Sequence, residues 1–330
     1  MVIIMNSKTF VKFKKNKNYK KLSLYAILLS ILLFFVILSM VVNPEKYIAV
    51  TLNSILIWAT VVLPSIFPFL VYTKFLTKLK LVDHFANLCT PITRFLFNTD
   101  GLSSYIYIMS IMSGYPVGAK LTTDLYLEGK IDRGTAHRTI CFCTNCGPMF
   151  IIGTVGVGLL LSKQAGYIIL IAHLLGAIIN GIVYRNYHKN DKKILKANIE
   201  QSSTDNFLSE TAISSANSMF IVGTYIIVFF ILIEFLNGLF SMNNTTILNA
   251  LFNGFLEITH GAKDIALLPI SMNFKIILST AILSFGGIAT AFQSFAFIKK
   301  IEYSFKFFFL QKLTHCIFST IIACLLCLIL

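Results

Sequence analysis

The stretch Met112-Ser113-Gly114-Tyr115-Pro116-Val117-Gly118-Ala119-Lys120 closes an apolar run, Leu102–Met112, that is shorter than a bilayer span. Two glycines and a proline break a helix, and at membrane depth such a break survives only where the freed backbone is buried in protein or lines a wet cavity. A charged arm from Lys120 to Arg138 follows. The stretch reads as the tip of a re-entrant hairpin at a binding site.

Composition supports a membrane setting. Of 330 residues, 56% are hydrophobic and only 13% charged, about half the charge of a soluble domain. The net charge of +14 sits mostly in loops, where it orients the chain and meets anionic lipid rather than nucleic acid. Residues 1–21 form a basic, cytoplasmic N-terminus, and Leu22–Val42 a first membrane helix without a signal-peptide cleavage site. Tyr47–Tyr72 is a second span, carrying Pro64 and Pro68. Asp83–Phe97 is too short to span and reads as interfacial or re-entrant. Ile140–Leu161 is a span broken early at Gly147-Pro148, and Gly166–Tyr184 is another. The basic segment 186–210 is a cytoplasmic linker. Ala216–Phe240 and Phe305–Leu330 are spans, Ile247–Ile258 is a short run ending in a polar turn, and Phe274–Phe297 is broken at Gly286-Gly287.

Residues 22–185 and 211–330 thus share a layout. Leu88–Phe97 lines up with Leu248–Glu257, and Ser113–Gly118 with Ser284–Ala289. With residues 102–119 and 274–297 as hairpins that return to their side of entry, each half crosses three times and the second is inverted. The expected fold is an all-α polytopic membrane protein of about six spanning helices plus two re-entrant hairpins in an inverted repeat, an arrangement of secondary transporters. The basic loop 185–196 then faces the cytoplasm, but Lys299 and Lys300 land outside, against the charge rule.

No His-Glu-x-x-His, Gly-x-Ser-x-Gly or Walker-type loop is present, so we expect neither an enzyme nor a cofactor. Cys141, Cys143 and Cys146, with His137, could offer four soft ligands but lack a second pair at zinc-finger spacing, and we read them as small apolar fillers. A half-helix that begins inside the membrane aims its free N–H groups into the cavity, which suits an anion such as a carboxylate. Such starts lie after Gly118, Gly147-Pro148 and Gly287, with Lys120 and Arg138 as added charge or as interfacial cations. Candidate substrate-binding residues are Ser113, Gly114, Tyr115, Pro116, Gly118, Lys120, Asn145, Gly147, Pro148, Glu257, Gly286, Gly287 and Gln293. Glu257 could equally serve as a helix-end carboxylate, and Asn145 and Gln293 as ties between helices. His173 and His315 read as satisfied core histidines.

Leu63-Pro64-Ser65-Ile66-Phe67-Pro68-Phe69, the 113–120 stretch and Phe142–Gly153 resemble the YlbJ/SpoVV family of sporulation integral membrane proteins with nucleoside-recognition gate domains. Leu256-Glu257-Ile258-Thr259-x-Gly261 and Gly286-Gly287 followed by Gln293 resemble its second gate region. The resemblance implies a transporter related in design to concentrative nucleoside transporters. In the sporulation members it implies movement of dipicolinate into the forespore across the outer forespore membrane. The expected partners are therefore the lipid bilayer and a small organic anion, with a homo-oligomer compatible with the sequence. The alternatives are a nucleoside transporter and a non-transporting membrane scaffold.

Overall fold

A computed structural model describes residues 24–64, 67–68, 71–72, 75, 81–194, 207–240 and 246–329. The basic N-terminus 1–21, residues 195–206 of the linker, and Ser65, Ile66 and Phe69 of the Leu63–Phe69 motif lie outside them. The chain forms two units, Met1–Pro44 and Glu45–Leu330.

The first unit contributes α1, Leu24–Val42, whose Leu28, Phe34, Phe35, Ile37 and Leu38 are all exposed. A helix apolar all round is solvated by lipid rather than by water.

The second unit holds the remaining elements. They are α2 (Pro44–Ile57), extended by a π-helical turn Trp58–Val62, α3 (Leu81–Phe97), α4 (Leu102–Ser113), α5 (Tyr115–Leu127) and α6 (Arg133–Cys143). A π-helix (Met149–Leu159), α7 (Lys163–Val183) and α8 (Phe207–Leu239) follow. The chain closes with α9 (Ile247–Leu256), α10 (Ile258–Leu267), α11 (Met272–Phe285), α12 (Gly287–Ile298) and α13 (Phe305–Ile329). The described residues are all-helical, as expected. By length and composition four helices can cross a membrane, 163–183, 208–239, 272–301 and 305–329, or five with the pair 26–42 and 44–60 as one span.

Side-chain contacts fix which helix ends lie together. At one end Arg133 pairs with Asp191 at 2.6 Å and with Glu302, Lys193 meets Glu302 at 3.1 Å, and Asn98 Nδ2 donates to Arg185 O at 3.1 Å. The start of α4, the end of α5, the start of α6, the end of α7, the end of α12 and the start of α13 therefore share this end. It also carries Lys130, Lys189, Lys192, Lys299 and Lys300, and is the end for which the positive-inside rule predicts a cytoplasmic position. At the opposite end Lys46 pairs with Glu234 at 2.6 Å, Lys275 Nζ donates to Ala266 O at 2.6 Å, and Asn273 Nδ2 donates to Cys327 O at 3.3 Å.

This pattern keeps two re-entrant hairpins but relocates the second. The first is α4–Gly114–α5, entering and leaving at the basic end. The second is α9–Glu257–α10, entering and leaving at the opposite end. The segment around Gly286 is instead an interrupted passage, with α11 and α12 running on as one apolar span. Its counterpart is α6–(144–148)–π-helix. The alignment of 113–118 with 284–289 is thus replaced by one of Gly114 with Glu257, and α3 has no partner in the second half. Hairpin, interrupted passage and complete helix occur twice, with the ends exchanged. The conflict over Lys299 and Lys300 disappears, because a crossing at 272–301 returns them to the basic end.

Both hairpins close on a glycine four residues after the tip. A Cβ on Gly118 would overlap the Cys143 carbonyl and stand 2.8 Å from Ser110 Cβ. A Cβ on Gly261 would overlap Gly254, across the second hairpin. On α13, Leu310, Leu313, Ile317, Ile321, Leu325 and Leu328 form a lipid-facing stripe. The opposite face buries Gln311, Lys312, His315 and Ser319 against α7, where Gly176 admits the Ser319 backbone.

The basic end is also a pH-dependent clasp. Burial alone raises the Asp191 pKa, but hydrogen bonds from Arg133 and the Lys193 N–H outweigh it and hold it below its ordinary value. Lys193 and then Arg133 hold Glu302 low as well. Carboxylates lowered in the folded state stabilise it fully above their unfolded pKa and lose that contribution as pH falls through the folded value. We expect the Arg133 and Gly134 amides, which donate to Lys193 O and Asp191 O at 2.9 Å, to be protected at neutral pH. Their protection should fall as pH drops below about 4. Hydrogen exchange against pH checks this, and protection unchanged at pH 3 would contradict it.

Candidate functional site

The four helix interruptions meet. Gly114 turns the first hairpin at φ 89° and ψ −172°, a conformation that favours glycine, and a Cβ there would stand 3.4 Å from Gly147 N. Gly286 breaks α11 from α12 at φ 90°, against the ring of Tyr115, and Gly287 packs on the carbonyls of Gly254 and Leu256. Each hairpin tip thus rests on the interruption of its own half. Tyr115 joins the halves, since its hydroxyl donates to Leu283 O, one turn before the second break.

Between these tips lies a cavity of about 70 Å³. That is room for several waters. Its walls include Ser113, Gly114, Tyr115 and Pro116 from the first hairpin, and Cys146, Gly147, Met149 and Phe150 from the first interrupted helix. Glu257, Ile258 and Thr259 come from the second hairpin, and Thr290 and Gln293 from the second interrupted helix. Val62 and α8 residues Val222 and Ile226 complete it.

Seven of the thirteen candidate residues therefore line one space: Ser113, Gly114, Tyr115, Pro116, Gly147, Glu257 and Gln293. The other six do not. Gly118, Gly286 and Gly287 hold the backbones that shape it, and Pro148 starts the π-helix. Asn145 is fully buried behind the wall, where its Nδ2 donates to Phe142 O at 2.7 Å. Lys120 faces away, paired with Asp124 at 3.1 Å and lying 5.3 Å from the Phe297 ring centroid. Arg138 lies at the basic end, donating to Thr135 Oγ1 at 3.1 Å. The direct cationic lining expected from these two is not built.

The polar lining has spare capacity. Ser113 Oγ is buried and has no partner. Gln293 is buried against the cavity as well. Glu257 is engaged on both oxygens: Thr259 Oγ1 donates to Oε1 at 3.0 Å and His260 N to Oε2 at 2.9 Å, capping α10. A carboxylate at a helix N-terminus is offset by the first-turn N–H groups. His137 and the three clustered cysteines do not converge. His137 Nε2 bonds Ile301 O at 2.8 Å, Cys141 lies 3.5 Å from Tyr303 Oη, and Cys146 reaches the cavity. Among the described residues no group of three or more metal-ligating side chains forms.

One residue in the site was not foreseen. Lys312, in the last span, is 3% exposed, and its Nζ donates to Thr144 O at 2.9 Å, in the unwound segment. The ammonium lies 4.8 Å from the centroid of the ring of Tyr115, itself a lining residue of the cavity. His315 and His173 complete this layer. His315 Nε2 bonds His173 O at 3.0 Å, His173 Nδ1 bonds Ser284 Oγ at 2.8 Å, and Cys146 N donates to His173 Nε2 at 2.9 Å. Both histidines are satisfied core residues. The sequence signal was a lysine two turns inside an apolar span, which is costly at membrane depth.

The first hairpin and the first interrupted helix decide the comparison with known proteins. Residues 59–163 match the Gate family model, described as nucleoside recognition. The Gate region so defined runs from the π-helical turn Trp58–Val62 through both elements of the first half of the site. The chain is also similar to the sporulation integral membrane protein YlbJ of Bacillus subtilis strain 168, at 25% identity over 335 residues. That similarity covers 91% of this chain and 82% of YlbJ, so it takes in the second hairpin as well. Both findings agree with the resemblance carried by the 113–120, 142–153 and 256–261 motifs. No solved structure matches the chain significantly.

Proposed function

We propose that this protein is a secondary transporter of a small organic anion, with dipicolinate as the favoured cargo moved into the forespore during sporulation. The observation that carries the reading is the cavity itself, walled by both hairpin tips and both interrupted helices. A site at the meeting of two oppositely entering repeats is where alternating access places its substrate. The starts of α5, the π-helix and α12 present first-turn amides near it, and Lys312 adds a cation one layer beneath. The similarity to YlbJ supplies the sporulation setting, and through the family resemblance the outer forespore membrane.

A nucleoside is the second reading, favoured by the description of the Gate model and by a lining that mixes Tyr115 and Phe150 with Ser113, Glu257 and Gln293. Uptake of labelled dipicolinate and of uridine by purified protein in liposomes separates the two. We expect dipicolinate uptake that unlabelled dipicolinate suppresses and uridine does not. Uridine uptake alone would transfer the reading to nucleosides. Normal dipicolinate content in spores of a deletion strain with intact synthesis would remove that cargo.

Ser113→Ala and Gln293→Ala should each raise KM about tenfold or more with little change in thermal stability. A hydrogen bond to a charged group is worth roughly 1.5–3 kcal/mol, and Ser113 Oγ gives up no partner within the protein. Unchanged uptake kinetics in both variants would place the cargo elsewhere.

A further inference from the structure

We infer that Lys312 is the binding site of the coupling proton, its ammonium held on a backbone carbonyl of the first interrupted passage. This deepens the transport reading above and rests on it.

The geometry is that of a cation site. Lys312 Nζ donates to the Thr144 carbonyl, which the interruption of the first passage has freed from helical bonding. It also reaches His315 Nδ1 at 3.3 Å and sits over the Tyr115 ring. Among the described residues it takes part in no ion pair. A buried ammonium with no carboxylate beside it carries a desolvation penalty of several kcal/mol. Its charged state is therefore sensitive to any charge that arrives nearby.

The neighbouring titratable groups are fixed in their neutral forms by hydrogen bonds. His173 accepts from Cys146 N at Nε2, so its proton is on Nδ1 and is given to Ser284 Oγ. His315 donates from Nε2 to His173 O and turns the lone pair of Nδ1 to Lys312. A further proton on His173 would set one N–H against another, and one on His315 would do so as long as Lys312 is charged. Tyr115 gives its hydroxyl hydrogen to Leu283 O. The thiols of Cys146 and Cys316 also face the ammonium. Lys312 is left as the group that can exchange a proton at the site.

An anion entering the cavity, which Tyr115 lines, lowers the cost of the charged lysine. Linkage is reciprocal, so the protonated lysine binds the anion more tightly, and the two travel together. One proton and one anion enter from the side to which the cavity is open and leave on the other, and the amine returns without charge. Because Thr144 O lies in the first interruption, loss of the charge also weakens a contact between α13 and the segment on which the first hairpin tip rests.

The test uses full-length protein in liposomes with labelled dipicolinate, under an inward proton gradient or an inward sodium gradient. We expect the proton gradient to raise accumulation at least fivefold and sodium to have no effect. Lys312→Met should abolish gradient-driven accumulation, and Lys312→Arg, which keeps a charge it cannot release, should do the same while still binding dipicolinate. Accumulation driven by sodium, or by protons in Lys312→Met as in the wild type, would overturn the inference. Should the wild type move neither dipicolinate nor uridine, the transport reading itself fails. Hydrogen exchange over residues 142–150, corrected for intrinsic rate, then still decides the proton site. The wild type should step with pH and Lys312→Met should not; no step in the wild type overturns it.

Discussion

A valine at Gly118 is expected to abolish uptake and to destabilise the folded protein by about 3 kcal/mol or more, the range of severe overpacking. Gly118 sits in the first turn of α5, directly after the hairpin tip. Any Cβ there collides with the Cys143 carbonyl, a backbone atom, and stands 2.8 Å from Ser110 Cβ. Neither can rotate away. Relief requires α5 to move off the end of α6, which separates Gly114 from Gly147 and opens one wall of the cavity. Gly153→Ala is the matched control, since nothing lies within 4 Å of a Cβ at that position. Thermal unfolding in detergent should separate the two variants clearly. A Gly118→Val protein as stable as Gly153→Ala would mean that the close contact between hairpin and broken helix is not built as described.

Glu257→Ala should reduce uptake about a hundredfold or more, whereas Glu257→Gln should retain the fold and lose less. Glu257 holds the second hairpin tip in extended backbone, at φ −147° and ψ 124°, and caps α10 through His260 N. Removing such a cap costs about 0.5–2 kcal/mol in helix stability. The larger loss comes from the cavity, where the tip faces Ser113 and Gln293 and a shift of about 1 Å misplaces every contact. Glutamine keeps an acceptor for His260 N and separates capping from charge. Equal uptake by the alanine variant and the wild type would remove the second hairpin from the site.

Much of this was legible before any coordinates. Gly114-Tyr115-Pro116 marks a break because only glycine takes φ 89° comfortably and proline suits the first turn of the helix that follows. Gly286-Gly287 marks another, and Glu257 announces a polar turn after a short apolar run. The role of each break was less legible. Glycine pairs are the stronger punctuation, so they drew the second hairpin to 274–297. The actual tip breaks the helix with an extended glutamate and no glycine or proline at all. Whether a break turns a chain back or lets it pass depends on which ends meet, and that is written in contacts such as Asn273 with Cys327 and Arg133 with Glu302. Lys312 stayed hidden because the hydropathy of Phe305–Ile329 absorbs a single cation. Its spacing from Gln311 and His315 on the one face that is not lipid-exposed was the available clue.

The description as a whole depends on two hairpins that enter from opposite faces of the membrane. Single cysteines at Lys130 and Lys300, and at Lys163 and Ser271, the last exposed just before the 272–301 segment, probed with a membrane-impermeant maleimide on intact and on opened cells, test it most directly. The account predicts that the first two react only after the cytoplasm is exposed, and the second two in intact cells. Reaction of Lys300 and Ser271 variants from the same side would mean that the 272–301 segment turns back, and the paired, inverted halves around the cavity would not exist.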